Sequence, residues 1–153
     1  LPYLSGERTP HNNPHASGVL FGLTHDSGPA QIGQAVLEGV AFGMADGFRA
    51  LVDSGVDVHS ISVIGGGSQS TYWGRILAAV LDTPMVYRDG AATGPAYGAA
   101  RLARYAIMGG SIEEMFDAPA VLQIVEPKES DRDRLATKHE KFGTLYRMLK
   151  DAF

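Results

Sequence analysis

Apolar residues fall three or four apart over residues 30–54, at Ile32, Val36, Val40, Met44, Phe48 and Leu51. This spacing predicts a helix from Ala30 to about Ser54. Pro29, after Gly28, suits its first turn, and Gly55 is placed to stop it. The period then shortens. Ser60 to Ile64 reads as a buried strand and Ser70 to Leu81 as a helix with Trp73, Ile76, Leu77 and Val80 on one side. Pro84 to Tyr87 is a second short strand, which completes a β-α-β unit. Thr93 to Met108 is predicted to be a small-residue helix, with Ala96, Ala99, Ala100, Ala103 and Ala106 beside Gly94 and Gly98, ended by Gly109-Gly110. Such a surface is expected to pack closely on a neighbour. Ile112 to Phe116 gives a helical turn, and a loop with Pro119 and Pro127 follows. Asp131 to Phe153 is the cleanest amphipathic helix, its stripe running through Leu135, His139, Phe142, Leu145 or Tyr146, and Leu149. Ser130 with Asp133 resembles a capping box in its Asp form. At the other end, residues 1–18 read as loop, broken by Pro2, Pro10, Pro14 and Asn12-Asn13, and Gly18 to Thr24 as a short strand. Strands alternating with helices make the fold class α/β.

The glycines change this picture at two places. Gly39, Gly43 and Gly47 lie four apart on one face of the first long helix. Each costs about 1 kcal/mol against alanine in a helix interior, so another backbone is expected to cross there, in a tightly packed core. Gly65-Gly66-Gly67 lies between the strand ending at Ile64 and the helix opening at Ser70. A glycine turn of this kind lets the backbone approach a flat or anionic partner, with N–H groups and the positive end of a helix dipole facing it. Ser68, Gln69, Ser70 and Thr71 add short polar groups that can cap the helix or touch a ligand. A nucleotide is the ligand this pattern suggests. One alternative is a dinucleotide fold: Gly65-x-Gly67-x-x-Ser70 approaches the G-x-G-x-x-G/A fingerprint, and Asp89 lies near the end of the next strand.

Composition excludes several classes. With 153 residues, the chain is long enough for one domain with a real core. A formal charge of −4 and a pI near 5.7 argue against a nucleic-acid partner held by a basic face. The sequence has no cysteine, which removes disulfide scaffolds and zinc-thiolate sites and fits a reducing cytoplasm. No apolar run approaches the roughly 20 residues of a membrane-spanning helix, and no secretory leader is read. The first residue is Leu1 rather than Met, so a fragment or processed product is expected.

Candidate chemistry outside the glycine turn is thin. His11, His15, His25, His59 and His139 show no metal-ligand spacing, since Pro14 and the asparagines prevent a helix between the first two. Glu7-Arg8 is read as an ion pair in a loop, either pinning it or meeting a phosphate. Glu38 lies mid-helix among apolar neighbours, exposed or buried with a partner. Asp26, Asp46 and Asp89 carry no recognisable catalytic spacing, and no Walker-type phosphate loop is present.

Several segments resemble a known family. Gly18-Val19-Leu20-Phe21-Gly22-Leu23, seven residues, then Gln31-Ile32-Gly33-Gln34-Ala35-Val36-Leu37-Glu38 is similar to the second signature of the FGGY carbohydrate kinases. Leu1-Pro2-Tyr3-Leu4-Ser5-Gly6-Glu7-Arg8-Thr9-Pro10-His11, Ile64-Gly65-Gly66-Gly67-Ser68 with Tyr72-Trp73, and Gly94-Pro95-Ala96-Tyr97-Gly98-Ala99-Ala100-Arg101-Leu102-Ala103 resemble its xylulokinase branch. The likeness weakens after about Gly110. It implies an actin-like, ribonuclease-H-like ATPase fold, with residues 1–153 as the C-terminal, nucleotide-binding domain, incomplete on its N-terminal side. It implies that Gly66 and Gly67 pack against adenine and ribose, within a nucleotide site of Gly65, Gly66, Gly67, Ser68, Ser70 and Thr71. Some relatives have Asp-Gly-Gly at Gly65-Gly66-Gly67 and an asparagine near Thr71, so side-chain contacts at those positions stay open. The implied reaction moves the ATP γ-phosphoryl group to the 5-hydroxyl of D-xylulose with Mg²⁺. The family's phosphate loop and catalytic aspartate lie upstream of the matching region, so no catalytic residue and no metal ligand is assigned here. The chain alone is expected to be inactive without its N-terminal domain, with sheet edges open to pairing. Another sugar or polyol as acceptor, and a homodimer, are left open.

Overall fold

Pro29 opens the longest helix, α1, Pro29–Asp53, in a computed structural model that describes residues 1–153 apart from the side chains of residues 114 and 115. The Gly28 N–H donates to Gln31 Oε1 at 3.2 Å, which satisfies one of the orphan donors at the helix start. At the other end Ser54 donates back to Ala50 and Leu51, and Gly55 turns the chain out at φ +89°. Glu38, Gly39, Ala41, Phe42 and Ala45 form the buried face.

A three-stranded sheet in the order β1-β2-β3 follows. β1, Ile61–Val63, runs parallel to β2, Met85–Arg88, with Ile61 opposite Met85 and Val63 opposite Tyr87. β3, Val121–Val125, pairs antiparallel to β2, with Met85 opposite Val125 and an irregularity between Tyr87 and Arg88. Sequence reading took this segment for a loop; it is a strand bounded by the prolines that suggested a break. α2, Thr71–Leu81, crosses between β1 and β2 and buries Ile76, Leu77, Ala78, Ala79 and Leu81. Met85 and Leu135, each nearly inaccessible to solvent, mark the centre of the core.

α5, Glu129–Leu149, starts two residues before the predicted boundary and ends in a 3-10 turn over Lys150–Ala152. Lys128 precedes it with no side-chain cap, so the expected Ser130–Asp133 capping box does not form. Glu129 and Asp131 in the first turn complement the helix dipole instead. Leu135, Phe142 and Tyr146 are its buried stripe, so Tyr146 rather than Leu145 lies deepest.

The first 18 residues form an irregular loop with isolated bridges between Pro2 and Gly18 and between Glu7 and Asn13. The strand expected over Gly18–Thr24 is absent. Pairing stops at the Pro2–Gly18 bridge, where Val19 and Leu1 exchange backbone hydrogen bonds, and Leu20, Phe21 and Leu23 are exposed. This loop is what crosses the glycine face of α1. A methyl at Gly39, Gly43 or Gly47 would meet Pro2, Tyr3 or Thr9 at 3.8–3.9 Å, which is ordinary contact. The expected neighbour is there, but it does not require glycine.

α3, Pro95–Met108, corrects another expectation. Among the described residues, none of its side chains is buried, and Leu102, Ile107 and Met108 are 61%, 86% and 69% exposed. Ala96, Gly98, Ala99, Ala100, Ala103 and Ala106 are all exposed. The single turn α4, Ile112–Met115, leads from it to β3.

Candidate functional site: the glycine turn and the start of α2

Gly65 leaves β1 at φ +78°, ψ −162°, a conformation that side-chain-bearing residues avoid. Its N–H donates to Ala91 O at 2.8 Å, across to the turn that follows β2. That second turn ends at Gly94, φ +60°, where a methyl would lie 3.4 Å from Gly65 Cα. The start of α3 therefore abuts the glycine turn. Sequence reading treated the two segments separately, although both show the same order of strand, glycine and helix.

Residues Gly66–Gln69 form a 3-10 turn before α2 begins. Ser68 donates both its N–H, at 3.1 Å, and its hydroxyl, at 2.7 Å, to Gly65 O. Ser70 Oγ accepts the Trp73 N–H at 3.2 Å and so caps α2. Both hydroxyls are thus engaged within the turn, while Thr71, the first residue of α2, is exposed. Gly67 has an internal reason to be glycine, since a methyl would come within 2.5 Å of the Trp73 ring. Gly66 has none: nothing lies within 4 Å of where its methyl would be. The single tryptophan, Trp73, keeps a buried indole N–H without a partner. The turn therefore combines an open glycine face with a helix N-terminus, features that suit a flat, polar ligand.

The other candidates disperse. Glu7 makes no ion pair with Arg8 among the described residues; its Oε2 accepts the His11 N–H at 2.8 Å and pins the loop through backbone. Asp46 Oδ1 meets His139 Nε2 at 2.8 Å, joining α1 to α5. Asp26 and His25 are exposed. No group of three or more His, Cys, Asp or Glu able to hold a metal ion exists among the described residues.

Glu38 is buried with partners. Gln34 Nε2 and Lys138 Nζ each donate to Oε1 at 2.8 Å, Lys138 Nζ also reaches Oε2 at 2.7 Å, and Arg134 Nη1 lies 3.2 Å from Oε1. Burial pushes the Glu38 carboxyl up. The hydrogen bonds from Lys138 and Gln34, the Lys138 charge and Arg134 more than offset this, holding it below the ordinary carboxylate value. Glu38 also lines a cleft of about 310 Å³ between the loop carrying Phe21 and helices α1 and α5, with Gln31, Phe42 and Lys141 on its walls.

Residues 1–107 match the C-terminal domain of the FGGY family of carbohydrate kinases. The chain belongs to that family. Xylulose kinases of Escherichia coli and Klebsiella pneumoniae are each 43% identical to it, over 97% and 98% of its length. A crystal structure described as a xyloylose kinase from Brucella ovis superimposes with a TM-score of 0.85 at 36% identity and covers 100% of the chain. The chain spans 31% of the length of the two curated relatives and 32% of that structure. The FGGY domain has the α/β, actin-like ATPase fold of these sugar kinases. The dinucleotide alternative loses its supports. A 3-10 turn separates the glycines from α2, whereas the dinucleotide fingerprint opens its helix directly. Asp89 turns its Oδ1 onto the Gly90 N–H at 2.9 Å. Among the described residues no helix is long and apolar enough to cross a membrane.

Proposed function

We propose that this chain is the C-terminal portion of a xylulokinase, which transfers the γ-phosphoryl group of ATP to the 5-hydroxyl of D-xylulose with Mg²⁺, and that Gly65, Gly66, Gly67, Ser68, Ser70 and Thr71 cradle the adenosine. The observation that carries the reading is the 43% identity to a xylulose kinase over 97% of the chain. In the turn, Gly66 would lie flat against the base, and the N-terminal end of α2 would face the polar side of the nucleotide. Ser68, whose proton is held by Gly65, could offer only lone pairs. Gly65 and Gly67 would act through the backbone. The base for the attacking hydroxyl, the phosphate loop and the ligands of Mg²⁺ belong to the preceding domain. Closure of that domain would align the γ-phosphate and exclude water. A cytoplasmic enzyme, active only as the longer protein, goes with this reading.

Gly66→Val in the longer enzyme tests it. A Cβ at Gly66 meets nothing within 4 Å, so the melting temperature should change little while KM for ATP rises about tenfold or more and KM for D-xylulose does not move. Unchanged ATP kinetics would remove Gly66 from the nucleotide site.

A further inference from the structure

Glu38 has no part in the proposed reaction, and it stands on α1 rather than in the glycine turn. It is 5% exposed in the middle of α1. A buried carboxylate is costly to keep and sharply defines where its donors stand. Two routes lead from it to the first turn of α2. Gln34, which donates to Glu38, accepts a hydrogen bond on Oε1 from Tyr72 Oη. Arg134, which also reaches Glu38, pairs with Asp131 at 3.5 Å, and Asp131 pairs with Arg75 at 3.2 Å. Tyr72 and Arg75 are three residues apart, so they share one face of α2. Between them stands Trp73, capped through its N–H by Ser70 and packed by its ring against Gly67.

We infer that Glu38 is a positioning residue: it holds the first turn of α2 against α1 and α5, and through Trp73 and Ser70 it fixes the glycine turn. Lys138 closes the cluster from α5 with both Glu38 oxygens, so α5 cannot shift along α1 without breaking it. The consequence for ATP rests on the adenosine reading of the turn; the mechanical link does not.

Glu38→Gln, Tyr72→Phe and the double variant, made in the longer enzyme, separate the two. Hydrogen exchange of a peptide spanning residues 65–75 is measured without nucleotide, together with KM for ATP and for D-xylulose. Exchange of this peptide should quicken about tenfold in Glu38→Gln and less in Tyr72→Phe, with the double variant no faster than Glu38→Gln. KM for ATP should rise about fivefold with KM for D-xylulose unchanged. Tyr72 is half exposed, so Tyr72→Phe keeps the test open should Glu38→Gln fail to fold. Unaltered exchange at 65–75 in both variants, or a change confined to the melting temperature, overturns the inference. Faster exchange with ATP kinetics intact supports the positioning role and overturns the adenosine reading.

Discussion

Tyr87 and Gly74 show how tightly single residues constrain the site. Tyr87 Oη donates to Ser70 O at 3.0 Å, so a strand residue holds the residue that caps α2. The hydroxyl passes over Gly74, where a methyl would come within 1.8 Å of it. Gly74→Ala should therefore destabilise the fold by about 1–3 kcal/mol through overpacking, seen as a lower urea midpoint. Tyr87→Phe removes the nearest clashing atom, leaving ring carbon Cζ at 2.8 Å, and should recover part of the loss in the double variant. Two losses that simply add would mean that the clash lies elsewhere. The glycines of the turn likewise divide by cause: Gly65 by dihedral, Gly67 by the Trp73 ring, and Gly66 by nothing inside the chain. A sequence shows three equal letters, because φ and the position of a ring from the next helix are not written in neighbouring residues.

Between elements, the ionic contacts of α1 with α5 set a pH dependence. The Glu38 carboxyl is held below its ordinary value when folded. Its contribution to stability is therefore fully present above the unfolded carboxylate pKa of about 4.3, and is lost as pH falls through the lower folded value. Between about pH 5 and 3 the urea midpoint should fall more steeply in the native protein than in Glu38→Gln. Equal slopes would mean that Glu38 is not tied as described. Lys138→Met, which leaves the buried carboxylate short of a charged donor, should cost about 2 kcal/mol at neutral pH. The helices themselves were legible, since α1 and α2 announce themselves by spacing to within a residue, and α5 does so at its start to within two, though it gives way to a 3-10 turn four residues before the expected end. The glycine turn was legible for the same reason. β3 was not, because a five-residue apolar run between prolines gains its identity from the edge of β2. Gly18–Thr24 failed in the opposite sense: its weak alternation finds no strand to pair with inside these residues. The charged partners of Glu38 come from residues 134 and 138, a sequence distance that no local pattern spans.

For the whole molecule, the exposed apolar surface is as informative as the core. Leu102, Ile107 and Met108 on α3, Leu122 and Ile124 on β3, and an apolar hollow of about 450 Å³ bordered by Leu4, Val36 and Val40 all face outward. Surface of this kind drives association when left uncovered. The 153-residue chain alone should sediment as concentration-dependent oligomers, and Leu102→Glu with Ile107→Glu should shift it toward monomer. A monodisperse monomer without these changes would show that the surface is tolerated. The closing of the core has a consequence in time. Tyr3 packs edge-on against Phe142 and Tyr146 at ring distances of 6.0 and 5.9 Å, and Asn13 donates to Tyr146 Oη. The opening loop and the last helix thus complete each other across nearly the full sequence. On a ribosome, which delivers residues in order, Tyr3 and the inner face of α1 wait for α5 to leave the exit tunnel. During that interval the nascent chain exposes its future centre, which is when a chaperone would find it and when a pause in translation would do most harm.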